Sequence, residues 1–346
     1  MTPDHIVKYY NEHAIVWFKE LNQFVIVNKQ DAKNQEQIDG LKAKVSNVNT
    51  ACYEVSNSSE LLIKHKSFNY RNIYKVNGKL IALYYESEDL QTLINPKFDH
   101  LNVESSSIEQ VSYYVYWQDK KIVLADRNKL LFQYYRDQLH ELSGKISMLI
   151  LNAAYNRHEK DWLAVFHASF VSIGNKGVLI IGDSGSGKST AAAVLMANGM
   201  NVIADDFVPF NLNQRVNFFP AATSIKESAD QELTVLFPEL SSSIIYKSSS
   251  KEINVKYLKP SEEVYNSEFE ISAVISIMYD PAIDFELNEL NRNDFLSQII
   301  PDTWSSPVTQ NVNTFLDWII QVPAYRLNYS NNDKLLKGIT NLLDNE

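Results

Sequence analysis

The sequence predicts an α/β fold for residues 127–346, preceded by an antiparallel β-rich domain of the α+β class in residues 1–126. Two observations support this prediction. An apolar run at 177–181 is followed by a glycine-rich segment and a helical pattern at 188–198, the strand–loop–helix order of α/β proteins. The first 126 residues instead contain successive hairpin patterns without alternating helices, so the two parts are expected to differ in class.

Length and composition are those of a globular protein with about two domains. The chain has 346 residues, of which 45% are apolar and 21% charged. Its net charge of −10 argues against binding to nucleic acid or anionic lipid, which requires positive surface. Cys52 is the single cysteine, so no intramolecular disulfide and no Cys-rich zinc site is expected. Neither a signal peptide nor an apolar run of about 20 residues is visible, which favours a cytoplasmic protein without a membrane span.

The N-terminal domain is predicted from three pairs of strands, at 14–18 with 24–28, at 69–76 with 79–86, and at 111–117 with 121–125. Asp31 is expected to cap a helix that ends near residue 45. Asn77-Gly78 is a strong hairpin signal, because both turn positions favour positive φ. The domain carries no recognisable catalytic constellation, and its role stays open.

The second domain is expected to begin with a long helix from residue 127 to about 157, because apolar residues recur there at helical spacing. Gly144 is a candidate break in this helix, and Gly199 is placed to end the helix at 188–198. The serine-rich segment 241–250 is predicted to be a mobile loop. The remaining elements are predicted as strands at 163–173, 178–182, 201–206, 218–219, 255–258, 271–279, 284–287 and 324–329, and as helices at 294–300, 309–321 and 332–343.

The glycine-rich segment fits the Walker A pattern G-x-x-x-x-G-K-[S/T]. It reads Gly182-Asp183-Ser184-Gly185-Ser186-Gly187-Lys188-Ser189-Thr190. Between a strand and a helix, the amides of such a loop and the positive helix end form a cradle for phosphate groups. We expect Lys188 to neutralise the phosphates and the Ser189 hydroxyl to reach a magnesium ion. The sequence therefore predicts a nucleotide site, over which the segment 241–250 could form a lid.

Two adjacent carboxylates follow the next strand, at Asp205 and Asp206. That strand should run parallel to the strand before the glycine-rich segment, so its carboxyl end should open beside the phosphates. One carboxylate, assigned here to Asp205, can hold magnesium, and the other can accept a proton from an attacking hydroxyl. Because neighbours on a strand face opposite sides, both can act only if the strand ends or bends at Asp205. Which of them is the base stays open.

His167 is a candidate on geometric grounds. If Asn175-Lys176 is a two-residue hairpin turn, His167 lies opposite Ser184 in the glycine-rich segment. A histidine there can bond a phosphate oxygen or orient the base.

Taken together, Phe166-His167-Ala168-Ser169, the glycine-rich segment and Ala204-Asp205-Asp206 resemble the catalytic domain of HPr kinase/phosphorylase and its related serine kinases. The resemblance implies a nucleotide fold like that of phosphoenolpyruvate carboxykinase, with ATP and Mg²⁺ as cofactors. It also implies phosphorylation of a serine hydroxyl by His167, Lys188 and the two aspartates, and, by analogy alone, a homo-oligomer.

Residues 219–226 replace the Glu-Ile-Arg-Gly-like signature of the HPr kinases proper, which suits the divergent members of the family. Lys226 in this segment could stabilise charge on a transferring phosphoryl group. Arg326 is a weaker candidate for the same task.

The preferred hypothesis is a magnesium- and ATP-dependent kinase that acts on a serine-type hydroxyl of a protein, a peptide or a small molecule. The alternative is a nucleotide-binding regulatory or scaffold protein without phosphotransfer. A carboxykinase-type enzyme would need a further metal site and an arginine cluster, and a transporter-type ATPase would need a Leu-Ser-Gly-Gly-Gln signature. The sequence shows neither.

Overall fold

The computed structural model describes residues 4–46, 66–104, 108–128, 130–247, 253–260 and 264–344. These residues form two compact units. Unit 1 comprises residues 1–50, 159–219 and 261–346, and unit 2 comprises residues 51–158 and 220–260. This division differs from the predicted boundary at residue 126, since each unit is assembled from separate stretches of chain. Cys52 lies outside the described residues.

The chain begins in unit 1 with a three-stranded antiparallel sheet and a helix. They are β1 (His5–Tyr10), β2 (His13–Phe18), β3 (Gln23–Asn28) and α1 (Gln35–Ser46). The predicted pairing of β2 with β3 is confirmed. Asp31 opens a short 3-10 helix, and Asn34 Oδ1, rather than Asp31, accepts the Glu36 N–H at the start of α1. Asn22 donates to the Ser305 carbonyl, so this segment is tied to the far end of the chain.

Unit 2 begins with a five-stranded sheet and two helices. The strands β4 to β8 lie side by side in the sheet in the same order as along the chain. The elements are β4 (Tyr70–Val76), β5 (Lys79–Tyr85), α2 (Glu88–Ile94), β6 (Val111–Gln118), β7 (Lys121–Ala125), β8 (Leu130–Tyr134) and α3 (Leu139–Tyr155). The two predicted hairpins of this segment are confirmed. The prediction that this part of the chain has no strand–helix–strand unit was wrong, because β5 and β6 are parallel and α2 lies between them.

The predicted helix from residue 127 is also wrong in its first part. Residues Leu130–Tyr134 form β8, which pairs with β7. Its apolar residues suit either a strand or a helix, and pairing along β7 decides between them. The helix α3 then runs through Gly144 without a break.

The chain returns to unit 1 with the segment that contains most candidate residues. Its elements are β9 (Trp162–Phe166), β10 (Ser169–Ile173), β11 (Lys176–Ile181), α4 (Lys188–Ala197), β12 (Asn201–Asp205), β13 (Val208–Asn211) and β14 (Val216–Asn217). The strand predicted at 163–173 is two strands, interrupted at His167-Ala168. The strand predicted at 218–219 is wrong, because β14 ends at Asn217 and those two residues follow it outside any strand. Gly199 follows α4 with a φ of 87°, as expected of a helix-ending glycine.

The second segment of unit 2 contains a small antiparallel sheet of order β15-β17-β16. Its elements are β15 (Thr223–Lys226), α5 (Glu227–Leu236), β16 (Tyr246–Lys247) and β17 (Asn254–Leu258). The predicted serine-rich loop contains part of the 3-10 helix Pro238–Ser242 and the whole of β16, while its residues 248–250 lie outside the described ranges.

The last segment completes unit 1. Its elements are β18 (Glu268–Tyr279), β19 (Phe285–Glu289), α6 (Arg292–Ile299), β20 (Thr303–Ser305), α7 (Thr309–Ile319), β21 (Ala324–Tyr329) and α8 (Asn332–Asp344). The three helices and the strands β18, β19 and β21 agree with the predicted ones within a few residues. Among the helices of the described ranges, none combines the length and apolar character that crossing a bilayer requires.

One mixed sheet of ten strands organises unit 1. Its main order is β12-β10-β11-β18-β14-β13-β9-β20, and β21 joins it beside β18 and β19. The strands β11, β18 and β21 are parallel. Since β10 is antiparallel to both β11 and β12, those two strands also share one direction, with β10 between them. The carboxyl ends of β11, β12, β18 and β21 therefore meet at one edge. The fold is a mixed α/β fold, as predicted for this part of the chain.

Candidate functional site

The glycine loop, Gly182–Gly187, follows β11 and leads directly into α4. Its three glycines have φ values of 147°, 98° and 97°, which side chains rarely adopt. At Gly182 a Cβ would lie 2.6 Å from Ser186 Oγ and 3.2 Å from the Ile277 carbonyl oxygen. The loop can therefore close on itself only with glycine at this position.

The start of α4 opens toward this loop. Gly187 is the N-cap residue and has no side chain with which to cap the helix. Lys188 Nζ donates to the carbonyl oxygen of Gly182 at 2.6 Å and contacts that of Asp183 at 3.4 Å. The ammonium is thus folded over the loop, at the positive end of α4, where an anionic group would be stabilised. The residues present fit a bound phosphate chain.

Asp205 is the last residue of β12, and it is 2% exposed. It pairs across the sheet with Ser169, whose hydroxyl donates to Asp205 Oδ1 at 2.5 Å. A buried carboxylate requires polar partners, and Ser169 supplies one of them from the first residue of β10.

Asp206 leaves the strand in the left-handed region, with a φ of 64°. Without such a bend, the two adjacent carboxylates would face opposite sides of the sheet and could not serve one site. The Asp206 side chain is 45% exposed, and its Oδ1 lies 2.8 Å from His167 Nδ1. One acid of the pair is therefore buried in the sheet, while the other faces solvent with an imidazole partner.

His167 lies where the chain crosses from β9 to β10, and its side chain is 48% exposed. The hydrogen bond to Asp206 raises the pKa of His167 above its ordinary value, and burial opposes that effect. The charge of Asp206 adds to the increase, Lys188 lowers the pKa, and Asp302 raises it slightly. Ser169, two residues after His167, pairs with Ile180, so His167 and the start of the glycine loop lie at the same edge of the sheet.

The position of His167 was predicted through a register that is wrong. Ser169 pairs with Ile180 and Ile173 with Lys176, so the hairpin turn is Gly174-Asn175 and the register is shifted by two residues. Continued along the strands, it sets His167 opposite Gly182 rather than Ser184. The histidine still reaches the site because both registers bring it to the same edge of the sheet.

Sequence reasoning missed Ser169 and Asp302. The carbonyl oxygen of Asp302 accepts the backbone N–H of His167 at 2.9 Å, since β20 pairs with β9. Ser169 could have been found once the pairing of β10 with β12 was known. No sequence signal marks Asp302, which comes from a distant segment of the chain.

The roles of the two weaker candidates, Arg326 and Lys226, stay predictions. Arg326 lies on β21 in register with Ser276 and is exposed. Lys226 ends β15 in unit 2. Within the described ranges, no group of three or more His, Cys, Asp and Glu side chains is arranged to hold a metal ion. Ser189 and Asp205 would thus need oxygen ligands from a bound phosphate chain to complete a magnesium site.

Comparison with known proteins gives a match over this part of the chain. Residues 162–229 match the family described as HPr Serine kinase C-terminal domain. The HPr kinase/phosphorylase of Mycoplasmopsis pulmonis (strain UAB CTIP) is 32% identical over 87 residues, which are 25% of this chain and 26% of that protein. The match therefore spans about a quarter of the relative's length.

A solved structure, the Hpr(Ser) kinase/phosphatase from Coxiella burnetii, aligns over 52% of this chain and 94% of its own, with 14% identity and a TM-score of 0.22. A score this low does not establish a shared fold. The sequence matches do confirm the predicted resemblance over residues 162–229. Over this segment the chain is similar to the HPr kinases.

Proposed function

We propose that this chain is an ATP- and magnesium-dependent kinase that phosphorylates a serine-type hydroxyl. The proposal is carried by one observation: the glycine loop with Lys188, the buried Asp205 and the His167–Asp206 pair occupy neighbouring strand ends at one edge of the unit 1 sheet. Phosphoryl transfer needs positioning and charge neutralisation at such a point more than it needs covalent chemistry.

The residues divide the work by their exposure. The loop amides, residues Gly182 to Thr190, and the Lys188 ammonium would hold phosphate oxygens. Ser189 and Asp205 would hold magnesium, since Asp205 is fixed in the sheet by Ser169. ATP with Mg²⁺, when bound, supplies the transferable phosphoryl group.

Asp206 is the better candidate for the base, because it faces solvent, where an acceptor can approach. It would take the proton of the acceptor hydroxyl as the oxygen–phosphorus bond forms, and Lys188 would offset the charge on the leaving diphosphate. His167 would hold the Asp206 carboxylate in place. This assignment goes beyond the sequence, which left the base undecided between the two aspartates.

The acceptor is proposed only as a class, a serine hydroxyl on a protein, a peptide or a small molecule. The names of the relatives make HPr protein one acceptor worth including. A cytoplasmic location is proposed with it, since ATP and such acceptors are found there.

The test is a transfer assay with γ-labelled ATP, Mg²⁺, and as acceptors HPr protein, a serine peptide panel and free serine. We expect label on a serine oxygen with the wild-type protein and none with Asp206→Asn. Tight ATP binding without transfer to any acceptor would contradict the kinase and favour the regulatory alternative.

A further inference from the structure

The structure points to a second ligand site on unit 1, at the edge of the sheet away from the glycine loop. A groove of about 460 Å³ opens there, within the roughly 300–1,000 Å³ of small-molecule sites. It is formed by the β13–β14 turn, the start of β18, the last turn of α7 and the residues after it. Lys176 pairs with Glu270 at this end of the sheet, and Ile181 with Ser276 at the other. The two edges are thus about five residues apart, roughly 16 Å.

Two side chains of the groove lining, Arg215 and Glu270, form an ion pair. Arg215 Nη2 lies 3.4 Å from Glu270 Oε2, and both side chains are 41% exposed. An ion pair this exposed contributes little stability, so a ligand can separate the two groups at small energetic cost. Asp317 adds a second carboxylate at the rim, and Lys8 is its ion-pair partner.

The turn that presents Arg215 is held rigidly from below. The buried Asn211 accepts the Arg215 backbone N–H with its side-chain oxygen at 3.1 Å, and its amide nitrogen donates to Asn217 and Glu268. Gln214 adopts a φ of 58° to close the turn. The guanidinium therefore starts from a fixed backbone, which lowers the entropic cost of holding a ligand.

The floor of the groove is aromatic and equally fixed. Trp318 is partly buried, and its ring centroid lies 4.6 Å from that of Phe210 and 5.6 Å from that of Phe166. Val322 and Pro323 continue the apolar surface beside it. An apolar or aromatic side chain laid on this floor would gain contact area without ordering new protein groups.

We propose that this groove binds a zwitterion of the amino-acid class. The ligand carboxylate would meet Arg215, the ammonium would meet Glu270, and the side chain would lie on Trp318. A zwitterion inserted into the Arg215–Glu270 pair replaces one neutral arrangement by another, whereas a singly charged ligand would leave one protein charge without its partner.

Calorimetric titration of the full chain tests this proposal. The probes are L-phenylalanine and the dipeptide glycyl-phenylalanine, which separate a free amino acid from a peptide, with phenethylamine and 3-phenylpropionate as singly charged controls. We expect one or both zwitterions to bind and both controls to bind at least about tenfold more weakly.

Arg215→Gln and Glu270→Gln should each weaken zwitterion binding at least about tenfold. Lys334→Gln, which opens an exposed ion pair with Asp284 on the same unit, should not change it. Circular dichroism would verify that all three variants fold. The proposal is overturned if neither zwitterion binds, if a singly charged control binds as tightly, or if the two groove variants behave like Lys334→Gln.

Discussion

The Tyr74–Tyr85 pair of unit 2 and His167 of unit 1 both have a pKa that the fold changes, but for different physical reasons. In unit 2, the hydroxyls of Tyr74 and Tyr85 lie 3.3 Å apart without solvent exposure, and burial raises the pKa of both. In unit 1, His167 is half exposed, and a carboxylate partner raises its pKa. The tyrosine pair is closed to solvent, whereas the His167–Asp206 pair is accessible to a substrate.

The turns of the two units differ in the same way. In unit 2, Asn77 and Gly78 have φ values of 49° and 72°, and a Cβ on Gly78 would meet nothing within 4 Å. That turn needs positive φ only to reverse the chain. In the glycine loop of unit 1, the conformation also brings Ser186 and the Ile277 carbonyl against Gly182. Close packing at a strand end, rather than the turn itself, distinguishes the candidate site.

The largest effect is expected from Lys188→Ala. If unit 1 holds the phosphate chain, losing this ammonium should lower phosphotransfer by at least about a hundredfold, because a fixed charge at the reacting group is removed. Lys334→Ala, which removes an exposed ammonium from the same unit, is the matched control and should retain activity. Steady-state ATP turnover measures both, and unchanged turnover in Lys188→Ala would refute the assignment of the loop.

The next largest effect is expected in the glycine loop, with the Asn77-Gly78 turn of unit 2 as the comparison. Gly182→Ala should destabilise the protein by about 2–4 kcal/mol, because backbone strain is added to a clash with Ser186 and Ile277. Gly78→Ala adds only strain, and we expect a loss of about 1 kcal/mol. Urea unfolding of both variants gives the difference. Equal losses would mean that the glycine loop is no more tightly packed than an ordinary hairpin.

Asp206→Asn tests the cause of the His167 shift. Without its main hydrogen-bond acceptor, His167 should titrate at a lower pH than in the wild-type protein, and Asp302→Asn should lower its pKa less. NMR titration of the imidazole measures all three proteins. An Asp302→Asn shift larger than that of Asp206→Asn would reverse the proposed order of the two carboxylates.

The raised pKa of His167 also makes the stability of the protein depend on pH. Because the folded pKa of His167 is raised, its contribution to stability is full below the unfolded pKa and is lost as pH rises through the folded pKa. In Asp206→Asn this loss should shrink. Unfolding free energies measured on both sides of neutral pH would show it, and identical pH profiles for the two proteins would exclude the linkage.

The smallest effect lies in unit 2. Gly144 is inside the continuous helix α3, with nothing within 4 Å of a Cβ placed on it. Gly144→Ala should therefore stabilise the protein by about 0.5–1 kcal/mol, because alanine loses less conformational entropy in a helix. Thermal unfolding is a sufficient measurement. A destabilised variant would indicate that the helix is interrupted there, as the sequence suggested.

Sequence patterns predicted local elements well and pairings less well. The strand, loop and helix around Gly182 were found because a motif, an apolar run and helical spacing coincide within a short stretch. The strand β8 was mistaken for helix, since only its pairing with β7 distinguishes the two. Asp302 could not be found, because its contact with His167 depends on β20 pairing with β9. The parallel pairing of β5 with β6 was missed for the same reason.

The most direct test of the account is a crystal structure with a non-hydrolysable ATP analogue and Mg²⁺. We expect the triphosphate on the amides of residues 182–190, the metal between Ser189 and Asp205, and Asp206 facing the terminal phosphate. A triphosphate bound elsewhere on the chain, or an Asp206 carboxylate turned away from it, would contradict the proposed site.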